Sequence, residues 1–423
     1  MNNIKLKLAI VLICFCGITN VFSQKSTTLR TGIWRGVLTL HEKQSEYGLI
    51  ELPFNFEIKN DLDIYSFVFL NAEEQIVANE IAIKGDSVFI KMPLYDSEFR
   101  CKIFADSLNG IWFNHARKDK NRIPFSAKWN DDSRFKIRYW TNYEPNIQGN
   151  WETTFSPNST DKEKAIGIFK QSNVTNGSIL TGTFATESGD YRYLQGIQAN
   201  ENLFLSCFDG SHAYLFTGKV RGDSIVNGQL FAGAHGHDTW LAKRNDKFEL
   251  RNPDSITFLK PGYSKIDFSF KNLEGKTISL SDEKFKNKVV IVQLMGTWCP
   301  NCIDETKFLA TFYDQYKSKG LEVVGLAFER TDDFAKAVVN LNRVKNRFNA
   351  NYEFLVTMKT GGAQASEALP MLNKVMAFPT SIYIDKKGVV RKIYTGFYGP
   401  ATGDNYIKYV EETTRFVEKL LSE

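Results

Sequence analysis

Charge of one sign is nearly absent from the balance of this chain. Fifty-three lysines and arginines face 48 aspartates and glutamates, a formal net charge of +5 over 423 residues. No basic stripe with interleaved aromatics stands out, so nothing points to a nucleic-acid partner. Long apolar runs are missing beyond residue 18, which excludes a membrane-crossing helix in the body of the chain. Cysteine is scarce: six are present, and Cys14 and Cys16 fall in an N-terminal apolar run. The others are Cys101, Cys207, Cys299 and Cys302. They are too few to staple a chain of this length, so the fold must rest on hydrophobic cores. Hydrophobic residues at 43% and charged residues at 24% describe a globular protein, and the length calls for two or three domains.

What the N-terminus does have is a leader pattern. Lys5 and Lys7 precede the apolar run Leu8–Ile18, and Val21-Phe22-Ser23 offers a cleavage end. Residues 1–23 therefore read as a signal peptide, with export to the periplasm or cell envelope. As a helix the run would span about 16 Å, half of a ~30 Å hydrocarbon core, so it is too short to anchor. A lipid anchor at Cys16 is the alternative, but bulky Phe15 stands where a small residue is expected.

Residues 30–245 read as all-β. Alternation is visible in Trp34–Leu40 and Phe54–Ile58, and short strands separated by Gly, Asn and Asp turns follow. Gly32-Ile33-Trp34 recurs as Gly149-Asn150-Trp151, and Asp106-Ser107 as Asp223-Ser224, each 117 residues on. Asn109-Gly110 with Phe113 recurs as Asn227-Gly228 with Phe231, 118 residues on. The pattern predicts two tandem β repeats, sandwich or barrel, over 25–135 and 145–248. A polar connector with Pro253 and Pro261 covers 249–264. From 265 to 423 strands alternate with helices, an α/β fold with antiparallel strands at its end. The chain is thus expected to be multidomain.

Trp298-Cys299-Pro300-Asn301-Cys302 joins the buried apolar strand Val289–Met295 to a helix that begins at Pro300. Residues three apart share a helix face at a spacing a disulfide accepts. Cys299 comes first, where the orphan N–H groups and the dipole favour a thiolate. At most ~2 kcal/mol of such stabilisation would bring a thiol of pKa ~8.5 to ~7. Cys299 is therefore the expected nucleophile and Cys302 the resolving thiol. Half a zinc site is the competing reading, but no second CxxC or Cys/His pair lies near it. No metal or cofactor is called for. His235-Gly236-His237-Asp238 reads as a solvated turn, and Cys101 and Cys207 as small core residues.

This segment resembles the active site of the TlpA/ResA branch of the thioredoxin superfamily, exported or membrane-anchored thiol–disulfide oxidoreductases. The resemblance covers about 265–423. It includes the hairpin at Gly275, the cis-proline loop at Phe378-Pro379-Thr380, and Glu305 three residues after Cys302. It implies a thioredoxin fold, with Pro379 cis and Trp298, Phe378, Pro379 and Thr380 facing substrate. The implied substrate is a disulfide-bearing protein or small molecule, and a membrane thiol donor re-reduces the pair. Glu305 is the expected proton-transfer group; its plainer role is that of an acid at a helix start, which Asp304 shares. Three features depart from the branch. The redox dipeptide is Pro300-Asn301, Gln293 replaces a buried acid, and 358–374 looks like an inserted loop. A peroxidase is a second enzymatic reading, but Gly296 and Val292 stand where peroxiredoxins carry threonine and proline. A third is that the β repeats are a binding module serving the dithiol domain.

Overall fold

The computed structural model describes residues 28–117, 122–136, 145–174, 177–359 and 361–423. The expected signal peptide, with Cys14 and Cys16, lies outside the described residues.

The N-terminal region forms two nine-stranded antiparallel sheets with one shared cyclic order. In the first, Gly32–His41 is flanked by Ile50–Asp61 and by Arg122–Trp129, and the strands run outwards in sequence order on both sides. In the second, Gly149–Phe155 sits in the same way between Glu163–Val174 and Gly236–Arg244. The repeated Gly-x-Trp opens both central strands. Each glycine has a positive φ, +104° at Gly32 and +114° at Gly149, which side chains rarely adopt. Each tryptophan is buried and donates its indole N–H to the carbonyl four residues upstream, Arg30 at 3.0 Å and Ile147 at 2.8 Å.

The copies differ in closure. In the second, Gly177–Thr186 pairs with both Glu163–Val174 and Leu194–Ala199, so the sheet closes into a barrel. In the first, the corresponding strands Ile64–Asn71 and Glu80–Lys84 do not pair, and the sheet stays open. Its core is completed from outside. Phe208, Ala213, Leu215 and Phe231 of the second copy pack into it, with Phe208 4.7 Å from Phe54 and 5.4 Å from Phe99 between ring centres.

The C-terminal sheet has seven strands. Across it run Thr277–Ser279, Ser269–Asn272, Glu353–Val356, Leu321–Ala327, Val289–Met295, Thr380–Ile384 and Val390–Thr395. Val289–Met295 is central and wholly buried. Its side chains alternate between two cores, as the period of two requires. Val289, Ile291 and Met295 join helices α1 (Pro300–Tyr316), α2 (Phe334–Phe348) and α4 (Asp404–Ser422). Val290, Val292 and Leu294 face the opposite core. The stretch 358–374, read as an inserted loop, contains helix α3 (Gly361–Ala368), whose Ala365 packs into that opposite core. Residues 249–264 do not swing free. Thr257 is fully buried with its N–H on Thr395 Oγ1, and Leu259 bridges to Leu372.

Candidate active site

Cys299 caps α1 and Pro300 takes its first position, where a missing N–H costs nothing. Cys299 and Cys302 are joined as a disulfide with Cα atoms 5.2 Å apart. The Cys302 N–H points at Cys299 Sγ, 3.3 Å away, so the helix start supplies a donor to that sulfur. Cys302 is completely buried, whereas Cys299 keeps a small exposed surface. A partner from outside therefore meets Cys299 first.

Behind the pair lies a buried polar cluster built by register. Gln293 shares the α1 face of its strand with Ile291 and Met295, and it sits opposite Ser381 in the neighbouring strand. Glu305, one turn into α1, is buried above both. Its carboxylate accepts hydrogen bonds from Ser381 Oγ at 2.9 Å, Gln293 Nε2 at 2.9 Å and Tyr409 Oη at 3.1 Å. Burial pushes the carboxyl up to about 7, against the pull of those donors. Gln293 Nε2 also donates to the Cys302 carbonyl at 3.1 Å, and its Oε1 accepts from Thr306. The glutamine thus ties the glutamate to the backbone of the second cysteine.

The Phe378–Pro379 bond is cis. The Phe378 carbonyl oxygen lies 3.5 Å from Cys299 Sγ, and Thr380 Oγ1 closes the loop on Ala377. Trp298 packs edge-on against Phe378 and donates its indole N–H to the Phe328 carbonyl at 2.9 Å. Glu329 receives the N–H and hydroxyl of Thr297, and burial raises its carboxyl. A methyl group on Gly296 would come within 2.3 Å of Trp298 Nε1, so a threonine there would collide with the indole.

The Redoxin family profile matches residues 260–406. The thiol-disulfide oxidoreductase ResA of Bacillus thuringiensis subsp. konkukian is 32% identical over 153 residues, covering 36% of this chain and 78% of that protein. The chain belongs to the ResA family of thiol-disulfide oxidoreductases. The thioredoxin-like protein YneN of Bacillus subtilis is 28% identical over 138 residues, 33% of this chain and 73% of that one. A solved thiol-disulfide oxidoreductase from Bacteroides fragilis aligns at 16% identity and a TM-score of 0.27, over 35% of this chain and 99% of that chain. On the Redoxin match and the likeness to ResA, the C-terminal part is a thioredoxin-like oxidoreductase.

Residues far outside the ResA-like part reach its redox centre, and sequence reasoning missed them. Asn301 Nδ2 donates to the Asp190 carbonyl at 3.2 Å. Asp190 in turn accepts from the Gly399 N–H at 2.6 Å. Ser211 Oγ donates to the Trp298 carbonyl at 3.3 Å. Arg192 is buried and ion-paired to both Asp304 of α1 and Glu74 of the first β copy. Burial opposes its charge, but the neighbouring acids, Glu74 foremost, hold it firmly cationic. Asp304, read as a helix-start acid, is therefore the α1 end of an inter-domain ion pair. Together Arg117, Arg192, His212 and Tyr214 face Trp298, Cys299 and Arg330 across a cavity of about 270 Å³. A larger cavity, about 700 Å³, is lined by Glu74, Tyr95, Phe308 and Tyr406 among others, and neither Cys299 nor Cys302 borders it.

Cys101 and Cys207 are free and buried, in separate cores. Burial pushes the Cys101 thiol up to about 12 and raises that of Cys207 well above its ordinary value, far from thiolate chemistry. His237 hydrogen-bonds Gln229 and Asp238 accepts from Ser156. Among the described residues no group of three or more metal-ligating side chains comes together, and no helix is long and apolar enough to cross a membrane.

Proposed function

We propose that the protein is a disulfide reductase of the bacterial cell envelope. The observation that carries this is Cys299 Sγ at the start of α1, with the Cys302 N–H aimed at it and the cis-proline loop beside it. In the reduced protein the Cys299 thiolate attacks one sulfur of a substrate disulfide. That S–S bond breaks, a substrate thiolate leaves, and a mixed disulfide forms. Cys302 gives up its proton and attacks Cys299 Sγ. The second substrate thiolate leaves, and the pair becomes an internal disulfide. Two electrons have passed to the substrate.

Glu305 is the group assigned to the Cys302 proton. A carboxyl titrating near 7 is half ionised at neutral pH, so it accepts and returns a proton with little cost. Trp298, Phe378, Pro379 and Thr380 are assigned to substrate contact, and Pro300 and Asn301 to tuning of the pair. A membrane thiol donor restores the dithiol. The leader pattern at residues 1–23 supports export, and the domain division at 249–264 follows the composition change there.

The test is the state of the pair in living cells, read by rapid acid quench and thiol alkylation of the envelope fraction. A reductase keeps Cys299 and Cys302 mostly reduced. A pair found mostly as disulfide while its donor system is intact would rule out the reducing direction, and recovery of the protein only from cytoplasm would rule out the compartment.

A further inference from the structure

The cavity over Cys299 is roofed by the β region, and its lining holds three arginines, Arg117, Arg192 and Arg330, against one carboxylate, Asp190. Arg330 lies over the Trp298 ring, its guanidinium 3.8 Å from the ring centre. Arg117 comes from the end of a first-copy strand and lines the same space, with His212 from the second copy. Among the described residues neither Arg117 nor Arg330 has an ion-pair partner. The acids nearby are already engaged. Asp190 accepts from the N–H groups of Arg192 and Gly399, Glu329 from Thr297, and Asp209 from the N–H groups of Ser211 and His212. The third guanidinium, Arg192, is neutralised by Glu74 and Asp304, yet its Nε is buried without a hydrogen-bond partner.

Like charges that face one space repel, and burial makes the repulsion costlier. Burial and the proximity of Arg117 work against the Arg330 charge more than Glu329 favours it. A carboxylate entering this space would relieve that and meet fork-shaped donors suited to it. The cavity is also small, with Cys299 in its wall.

We propose that Arg117 and Arg330 bind a carboxylate of a small anionic disulfide and so present its sulfur to Cys299. The proposal rests on the thiol–disulfide reading above and adds its substrate class. The chemistry is unchanged: one substrate S–S bond is exchanged for the Cys299–Cys302 bond, and two small thiols leave with the electrons of the pair.

The test uses the full chain, reduced and freed of reductant, in single turnover. Three disulfides of similar size serve as probes: dithiodipropionate (anionic), hydroxyethyl disulfide (neutral) and cystamine (cationic). Because the leaving thiols differ in acidity, each rate is divided by the rate of the same disulfide with a free small dithiol. We expect the normalised rates to fall in the order anionic, neutral, cationic, spanning on the order of ten-fold or more at low salt and narrowing as salt is added. Arg117→Gln should shrink the anionic-to-cationic ratio, and Arg117→Gln with Arg330→Gln should bring it close to one. The ratio is internal to each protein, so a general loss of activity leaves it intact. Three results would overturn the proposal. One is equal normalised rates in the wild type. Another is an unaltered ratio in both variants. The third is a clear preference for an acidic-peptide disulfide over the small dicarboxylate, which would make the occupant a protein. If the neutral probe is reduced and no charge order is seen, the oxidoreductase reading stands and this one falls. If none of the probes is reduced, both fall.

Discussion

Asn301, between the two cysteines, donates its side-chain amide to the carbonyl of Asp190 at 3.2 Å, so the redox dipeptide is fastened to a β repeat more than 100 residues away. The fastening is tight. Gly189 has φ +144°, and a methyl group there would stand 2.0 Å from Asn301 Nδ2. Gly189→Ala should cost about 1–3 kcal/mol of stability, as overpacking does. Asn301→Ala removes the obstructing amide, so the double variant should be less destabilised than the sum of the singles. Urea unfolding of the four proteins checks this; strict additivity would mean that the two residues do not press on each other.

The ion-paired Arg192 joins three parts of the chain. Arg192→Met leaves Glu74 and Asp304 without their cation in a largely buried setting. A loss of about 3–5 kcal/mol is expected. In the reduced protein, iodoacetamide should also alkylate Cys299 faster, because the roof over it loosens. An unchanged alkylation rate in a folded variant would show that the roof does not depend on this ion pair.

The two cysteines should fail differently. Cys299→Ser should abolish single-turnover reduction of any disulfide. Cys302→Ser keeps the attacking thiol and loses the resolving one, so it should accumulate mixed disulfides visible by mass spectrometry under non-reducing conditions. Trapped species on Cys302 in the Cys299→Ser protein would reverse the assignment.

Burial lifts Glu305 from the ordinary 4.5 to about 7 in the folded chain. Between those values the native state keeps a proton that the unfolded state has released. The contribution of Glu305 to stability is therefore fully present below pH 4.5 and is lost as pH rises through 7, a change of about 3 kcal/mol at 1.36 kcal/mol per unit. Asp190 and Glu329, also raised by burial, slope the same way. Glu305→Gln should flatten its share of the slope while those two remain. The same variant should slow thiol exchange at neutral pH and recover toward wild type at alkaline pH, where hydroxide deprotonates Cys302. Identical pH–rate profiles would leave Glu305 a structural residue.

The parts of this site that a sequence displays are those set by local spacing. Cys299 and Cys302 announce themselves by the helix period, and the strand Val289–Met295 by its unbroken apolar run. The grouping of Glu305 with Ser381 and Tyr409 was not legible, because strand register and helix packing decide which residues converge, although Gln293 stood out as the one polar residue of its strand. The contribution of the β region was less legible still. Asp190, Arg192 and His212 lie in or beside short loops with Gly, Asp and Ser, where polar residues are the norm and periodicity carries no signal. The Trp repeat did foretell a shared strand order, yet three short matches say nothing of which copy closes.

That difference in closure makes the two copies a donor and an acceptor. The open sheet keeps Phe54, Phe69 and Phe99 dry only while Phe208 is inserted among them. A nascent chain that has reached residue 136 therefore carries a hydrophobic interior with one wall still unsynthesised. The two sheets are coupled through this wall, and the one that supplies it also reaches over Cys299.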